Sequence, residues 1–300
     1  MSQHAISVDA VVIKVNNFSD NDRYIELLTR DRGIISVLCK SIKSRNRRFI
    51  NLTDLYTYAK FELFDNNGKY YFDSADSIYD FASLRTSLTI QTAAAHMTEL
   101  VHDFILSLND VSDEIVLNEC IEIYRLFTSA LFFMDQTNGN ELFISSIFTY
   151  KFLSLMGYAL NFDLQNKGHK LSTETIFSDF FLEFSFSERR FVLKKKNFST
   201  RDDLLLTEKN EKRELFYPKE ESNFDNKSTD TVPIGKGLFR SLQWIDAKMS
   251  PDCYKFSISA GDKHLLYLFV SRYLREQVEK EYKKLDLIVD LYSLINKGHV

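Results

Sequence analysis

Five cationic side chains crowd the segment CKSIKSRNRRFIN, Cys39 to Asn51: Lys40, Lys43, Arg45, Arg47 and Arg48, with no carboxylate among them. A cluster of that kind binds an anion. Lysine offers a point charge, whereas the planar guanidinium of arginine pairs two phosphate oxygens at once and also lies flat on a base. Phe49 follows directly with a ring able to stack. The whole chain has a formal net charge of −4, so the patch is local and unlike the bulk cationic excess of proteins that coat nucleic acid. Tyr56, Tyr58, Tyr70 and Tyr71 are further stacking candidates, although in a chain with 15 tyrosines and 26 phenylalanines most rings must fill cores.

Other chemistry is thin. Neither GxGxxG nor GxxxxGK[ST] occurs, and Gly68-Lys69 and Gly235-Lys236 lack the upstream glycine and downstream hydroxyl that cradle phosphates and magnesium, so no nucleotide hydrolysis is expected. HMTELVHD places Glu99 and His102 three apart on one helical face, as in the halves of di-iron bundles, but the second such pair that would close a site is missing. His96 and His102 are six apart, unlike the i, i+4 pair of zinc proteases. A metal-dependent hydrolase built on His96, Glu99 and His102 is therefore the enzyme alternative, and a polar helix without metal the favoured reading. Lys194 to Lys196 form a second basic run, which reads as a solvated strand end.

The elements that position the basic segment follow from periodicity. From Ser7 to about Asp80 the pattern is extended: AISVDAVVIKV, RYIELLT, GIISVLCKSI, LYTYAKFELF and KYYFDSADSIYDF alternate or are β-branched, and Gly33 and DNNG supply turns. Five strands in some eighty residues are too few for a sandwich and suit a small closed barrel such as the oligonucleotide-binding (OB) fold. The basic stretch follows the third strand, where a loop leaves the barrel. Beyond Ser83 the period becomes helical, with Leu84, Leu88, Ala95, Leu100, Phe104 and Leu108 along one side of a first helix. A second opens at a cap at Ser112 or Asp113, and a third ends near Gly157. DFFLEFSFSERRFVLKKK reads as a hairpin around SERR, and KEESNFDNKSTDTVP as a polar linker. A short helix over GLFRSLQWIDA and a long one, or two broken near Lys284, complete the chain.

The fold class is thus α+β: a five-stranded OB barrel over 1–83, a helical bundle over 84–160 and 234–300, and a hairpin with linker over 161–233. The low glycine and proline totals point the same way, with nine glycines and three prolines in 300 residues favouring long helices. Three scattered cysteines, Cys39, Cys120 and Cys253, build neither a disulfide framework nor a metal clip, which fits a reducing cytoplasm. The start MSQHAISVDA lacks a charged and then apolar leader, and no apolar run reaches the roughly 20 residues of a bilayer span, so neither export nor a membrane is expected.

The opening, AISVDAVVIKVNNFSDNDRYIELLTRDRGIISVLCKSIKSRNRRF, resembles the N-terminus of the bacterial recombination mediator RecO family. Asp22, Arg23, Thr29, Gly33, Lys40, Lys43, Ser44 and Arg45 fall in register with that pattern. AAAHMTEL, with Glu99 and Leu100, is similar to the family's first bundle helix, and FLSLMGYALNFDL to the segment before its zinc module. Many members carry four cysteines directly after the position of Leu164; here no cysteine lies between Cys120 and Cys253, so no tetrahedral zinc site is expected there. The FSFSERRFVL stretch should keep a shrunken, zinc-ribbon-like hairpin held by phenylalanine packing.

The resemblance implies a noncatalytic, cofactor-free mediator that binds single- and double-stranded DNA, anneals complementary strands and helps load the recombinase onto DNA coated by single-stranded DNA-binding protein (SSB). Implied partners are RecR and the acidic C-terminal tail of SSB, with a basic, apolar groove on the helical domain as the tail's host. The candidate DNA contacts are Arg23, Lys40, Lys43, Arg45, Arg47, Arg48 and Phe49, and no metal ligand is assigned. An RNA-binding OB protein is the alternative within the binding class.

Overall fold

The structure is a computed structural model and describes residues 4–44, 47–107, 114–137, 139–196, 230–278 and 280–296. These residues form two compact units, 1–148 with 283–300, and 149–282.

The first unit begins with five strands, β1 (His4–Asn17), β2 (Arg23–Thr29), β3 (Ile34–Cys39), β4 (Tyr58–Asn66) and β5 (Lys69–Tyr79). They close into a barrel in the order β1-β2-β3-β5-β4, with β4 returning to β1. This is the OB barrel expected from strand number and spacing. Every neighbouring pair is antiparallel except β3 with β5, which run parallel with Val37 opposite Tyr70 and Leu38 opposite Tyr71. The turn between β4 and β5 uses Asn67 and Gly68, both at positive φ (53° and 79°), the combination that a two-residue hairpin demands. Alternation sends Val8, Val12, Ile25, Leu27, Val37, Phe61 and Leu63 inward. Ile42 and Leu52, from the connection between β3 and β4, join that core. Leu52 ends a short helix, α1 (Arg47–Leu52).

Helices follow: α2 (Ser83–Thr86), α3 (Leu88–Ser107), α4 (Glu114–Gln136) and α5 (Glu141–Leu153). The expected first helix is split, because Ser87 is extended (φ −111°, ψ 117°) and its hydroxyl accepts from the Ile90 amide at 3.3 Å, starting a new helix. Leu84 and Leu100 are buried as expected, but the start of the new helix is turned. Ile90, Ala93, Ala94, Met97 and Val101 face inward, while Leu88, expected on the buried side, is 56% exposed. The expected caps Ser112 and Asp113 lie outside the described residues. Helix α5 gives way to one wide turn, Ser154–Tyr158, where Gly157 at φ 86° ends it as expected.

The second unit holds two short strands, β6 (Gln165–Asn166) and β7 (His169–Lys170), then α6 (Thr173–Asp179), β8 (Phe180–Ser185), β9 (Arg190–Lys195), β10 (Thr231–Pro233), α7 (Lys236–Ala247) and α8 (Ala260–Gln277). Strands β8 and β9 pair around the SERR turn. Thr231–Pro233, which polar composition assigns to the linker, instead adds a third strand beside β8; the rest of that linker, 219–229, lies outside the described residues. Phe184, fully buried, meets Phe186, Phe191 and Phe269 with ring centroids 5.2 Å away in each case. Burying one such ring contributes about 1.5–3 kcal/mol, so the cluster ties the hairpin to its unit. Helix α8 ends at an extended Val278, and α9 (Lys284–Asn296) belongs to the first unit, packing on α3 with Lys284 paired to Glu99. No helix among the described residues is long and apolar enough to cross a membrane.

Candidate nucleic-acid interface

Three connections gather at one end of the barrel, since antiparallel and parallel pairing bring the start of β2, the end of β3 and the start of β5 side by side: Arg23 opposite Cys39, and Leu38 opposite Tyr71. The basic segment leaves the barrel here. Its backbone is held by the β1–β2 turn, where the Asp22 carboxylate accepts the Ser41 amide at 2.6 Å and the Asn21 carbonyl accepts the Lys43 amide at 3.2 Å. Ser41 adopts positive φ (52°), and the Ser41 carbonyl takes both the amide and the hydroxyl of Ser44, at 3.1 and 2.9 Å. From below, the segment is pinned by Ile42, fully buried in the barrel core and worth about 1.5–3 kcal/mol there. Lys40 and Lys43 on either side of it are exposed as a result. A single isoleucine amid cations is therefore the anchor that turns the charges outward.

The expected contact residues divide. Lys40 sets its ammonium over the Tyr71 ring, 5.3 Å from the centroid. Arg48 reaches Asp76 at 2.7 Å, with the two side chains 65% and 82% exposed. An ion pair so open contributes about 0–1 kcal/mol, so a phosphate can take Asp76's place at little cost. Arg45, and the side chain of Arg47, lie outside the described residues. Arg23, expected at the DNA surface, is instead buried: its Nη1 donates to the Thr53 carbonyl (3.3 Å), the Thr53 hydroxyl (3.2 Å) and Asp54 (2.9 Å). These bonds fasten the chain after α1 to the barrel and offset part of the cost of taking the charge out of water. Phe49 is half-buried against the barrel core, edge-on to Phe72 at 5.9 Å, and helps seat α1 instead of standing free.

The tyrosines also separate by face. Tyr56 is buried, its hydroxyl bonded by Thr98, and desolvation pushes its pKa up to about 12. Tyr58 stacks on Phe81 at 6.4 Å, and Tyr70 packs on the barrel core. Tyr71, one residue on, points outward beneath Lys40. Phe64, Tyr24 and Phe18 share the outer surface, and sequence reasoning overlooked them. The signal was present in the register, since Phe64 and Tyr24 alternate out of phase with the inward Phe61, Leu63 and Ile25.

The histidines of α3 are tied elsewhere. His102 Nε2 lies 2.9 Å from Glu26, which also takes Lys14 at 2.8 Å, and Glu99 pairs with Lys284. His96 is fully buried, and desolvation lowers its pKa to about 3, so it is neutral at pH 7. Among the described residues no three His, Cys, Asp or Glu side chains converge as metal ligands would.

Two family models match: "Recombination protein O N terminal" over residues 1–81 and "Recombination protein O C terminal" over residues 85–208. A DNA repair protein RecO of Acetivibrio thermocellus is 27% identical over 286 residues, spanning 95% of this chain and 97% of the relative. The protein of the same name from Clostridium perfringens is 26% identical over 159 residues, 53% of this chain and 61% of the relative. That of Symbiobacterium thermophilum is 30% identical over 95 residues, 32% and 38% of the two chains.

Proposed function

Because the chain belongs to the recombination protein O family, whose two models together span the barrel and most of the helical part, we propose that it is a noncatalytic, cytoplasmic DNA repair mediator. It binds single- and double-stranded DNA through the segment from Lys40 to Arg48, anneals complementary strands and helps load the recombinase onto SSB-coated DNA. The observation that carries this reading is the exposed cation cluster itself, with Lys40, Lys43 and Arg48 held outward at one end of a closed OB barrel by a buried Ile42 and an Asp22 cap. Two phosphate backbones repel each other, and a cationic edge between them lowers that repulsion. With about three or four phosphates contacted on a single strand, log affinity falls with log salt at a slope of roughly −2 to −3. A fourfold rise in salt then weakens binding about 20- to 60-fold, moderate enough for a factor that must let go.

A second feature supports docking of the acidic SSB tail. A groove of about 740 Å³ in the first unit is lined by Leu55, Tyr56, Leu84 and Leu287, with Arg85 and Lys284 at its wall. Leu55 and Leu287 are 48% and 47% exposed, so an apolar tail residue finds a surface there; Arg85 and Lys284 pair with Asp80 and Glu99 in partly exposed ion pairs whose carboxylates a tail carboxylate can replace, and Asp54 also lines the groove. RecR is the other proposed partner.

Annealing of complementary strands precoated with SSB, followed with and without ATP, tests the reading. Equal annealing in both conditions, lost when Lys43, Arg45, Arg47 and Arg48 are replaced by alanine, is the expected result. Absence of annealing by the intact protein, or dependence on ATP, overturns it.

A further inference from the structure

The outer face of the barrel carries a row of aromatic and apolar side chains that the basic segment alone does not explain. Cross-strand register aligns Tyr24 of β2 with Leu38 of β3, Leu38 with Tyr71 of β5, and Tyr71 with Phe64 of β4. Residues opposite each other on paired strands point to the same side of the sheet, and the inward set is already occupied by Ile25, Val37, Phe72 and Leu63, so these four face out. Phe18, at the tip of the β1–β2 turn, extends the row by standing edge-on to Tyr24 at 5.3 Å while remaining 66% exposed. Phe64, at the other end, is 37% exposed. Three interstrand spacings make the row about 14 Å long, enough for about two or three unstacked bases.

Its borders are asymmetric. On the side of the basic segment stand Lys40, already over the Tyr71 ring, and the exposed Lys43 and Lys69. Glu62, which takes the Ser7 hydroxyl at 2.7 Å, and Asp73 border it farther along the strands. Helix α3 covers the next outward position on β2, where His102 meets Glu26. Rings flanked by cations on one side and carboxylates on the other fit a polymer with flat faces and a one-sided anionic backbone.

We propose that this row is a stacking platform for the bases of single-stranded DNA, its phosphates lying toward Lys40, Lys43 and Lys69. The inference rests on the reading of the basic segment as a phosphate-binding edge and adds what that edge lacks, a means of preferring unpaired strands. In a duplex the bases are sequestered and only the phosphate edge engages; on a single strand both do. A strand held with its bases splayed against Phe64, Tyr71 and Tyr24 presents no obstacle to a complement arriving from solvent.

The test compares binding of a labelled oligothymidine with that of an abasic sugar-phosphate oligomer of equal length and charge. The intact protein is expected to prefer oligothymidine by at least about fivefold per stacked base. Replacing Phe64 and Tyr71 by threonine, which suits a strand, should lower that preference by at least about fivefold, Tyr24 and Phe18 keeping the remainder, while affinity for the abasic oligomer changes by less than about twofold. Tyr71→Phe keeps the ring and should keep the preference; Tyr71→Leu keeps the bulk without the π face and should weaken it. Equal binding of the two oligomers by the intact protein overturns the platform, as does a preference undiminished by the double substitution. Tighter capture of oligouridine than of oligothymidine overturns the choice of DNA as occupant. Unaltered abasic binding after alanine replacement of Lys43, Arg45, Arg47 and Arg48 would instead refute the phosphate edge, so the two failures are distinguishable.

Discussion

The chain has two cationic runs of similar sequence character, Lys40 to Arg48 beside the barrel and Lys194 to Lys196 at the end of β9, and the fold treats them differently. In the second run Lys194 meets Glu183 of the neighbouring strand at 2.7 Å, and Lys196 donates to the Phe177 carbonyl at 3.0 Å while lying over the Phe181 ring. Those charges are spent on their own hairpin. In the first run the backbone is held by Asp22 and Ile42, while the ammonium groups of Lys40 and Lys43 have no carboxylate partner among the described residues. The proposed binding edge and the strand end thus differ in which atoms the fold chiefly holds, main chain in the first, where Arg48 keeps an open pair with Asp76, and charged tips in the second.

The largest effect that could break this contrast is alanine replacement of Lys43, Arg45, Arg47 and Arg48. It should lower affinity for single-stranded DNA at low salt by more than about 20-fold and flatten the salt slope toward zero, read by anisotropy titration at several salt concentrations. Unchanged low-salt affinity would erase the distinction between the two runs.

Next comes a contrast within the first run's own neighbourhood. Arg23→Ala removes a buried donor set and should cost about 1–3 kcal/mol, seen as a melting temperature lowered by several degrees. Arg48→Ala, breaking an exposed pair, should leave the melting temperature within about a degree and weaken DNA binding. The opposite pattern would mean that burial does not sort the two arginines.

Acidification sharpens the comparison, because lysine and arginine stay charged while the fold does not stay equally stable. The folded pKa of His96 is lowered from 6.5 to about 3, so its contribution is fully present above pH 6.5 and is lost as pH falls from 6.5 toward about 3. The loss is about 1.4 kcal/mol per pH unit below the unfolded value. Denaturant titrations between pH 7 and 4 should show that slope, and His96→Leu should flatten it. Loss of DNA binding at mild acidity without loss of stability would point to a titrating group at the interface.

The smallest effect is expected at the second run. Lys194→Ala with Lys195→Ala should change DNA affinity by less than about twofold and stability by within about 0.5 kcal/mol. A loss comparable to that of the first run would show that both strips grip DNA.

Much of the architecture was legible. Period-two alternation marked all five barrel strands, Gly33 and Asn67-Gly68 marked turns, and Gly157 ended its helix, because each is decided by neighbours within a few residues. The missing zinc cysteines and the dense phenylalanines of β8 and β9 announced a hairpin packed by rings. The register with the family also acquired reasons: Asp22 caps the basic segment, Arg23 ties down the chain after α1, and Thr29 donates to the Gly33 carbonyl at 2.8 Å to close its turn. Legibility failed at Leu88, where one serine restarted the helix out of phase, and at Thr231–Pro233, whose strand exists only because β8 offers it an open edge. It also failed at Phe49, which looked like part of a loop and packs on the barrel.

Residue types and short-range spacing by themselves determined that this chain has a small β barrel, long helices and a carboxylate-free cationic stretch, since propensity, turn chemistry and charge are local quantities. They left open which cations in and near that stretch face solvent. That was decided when barrel closure carried Arg23 to Thr53 and Asp54, thirty and thirty-one positions away, and the parallel pairing of β3 with β5 set Lys40 over Tyr71. Burial and cross-strand register depend on partners remote along the chain, so only the assembled barrel assigns an arginine to the interior and a tyrosine to the outer face.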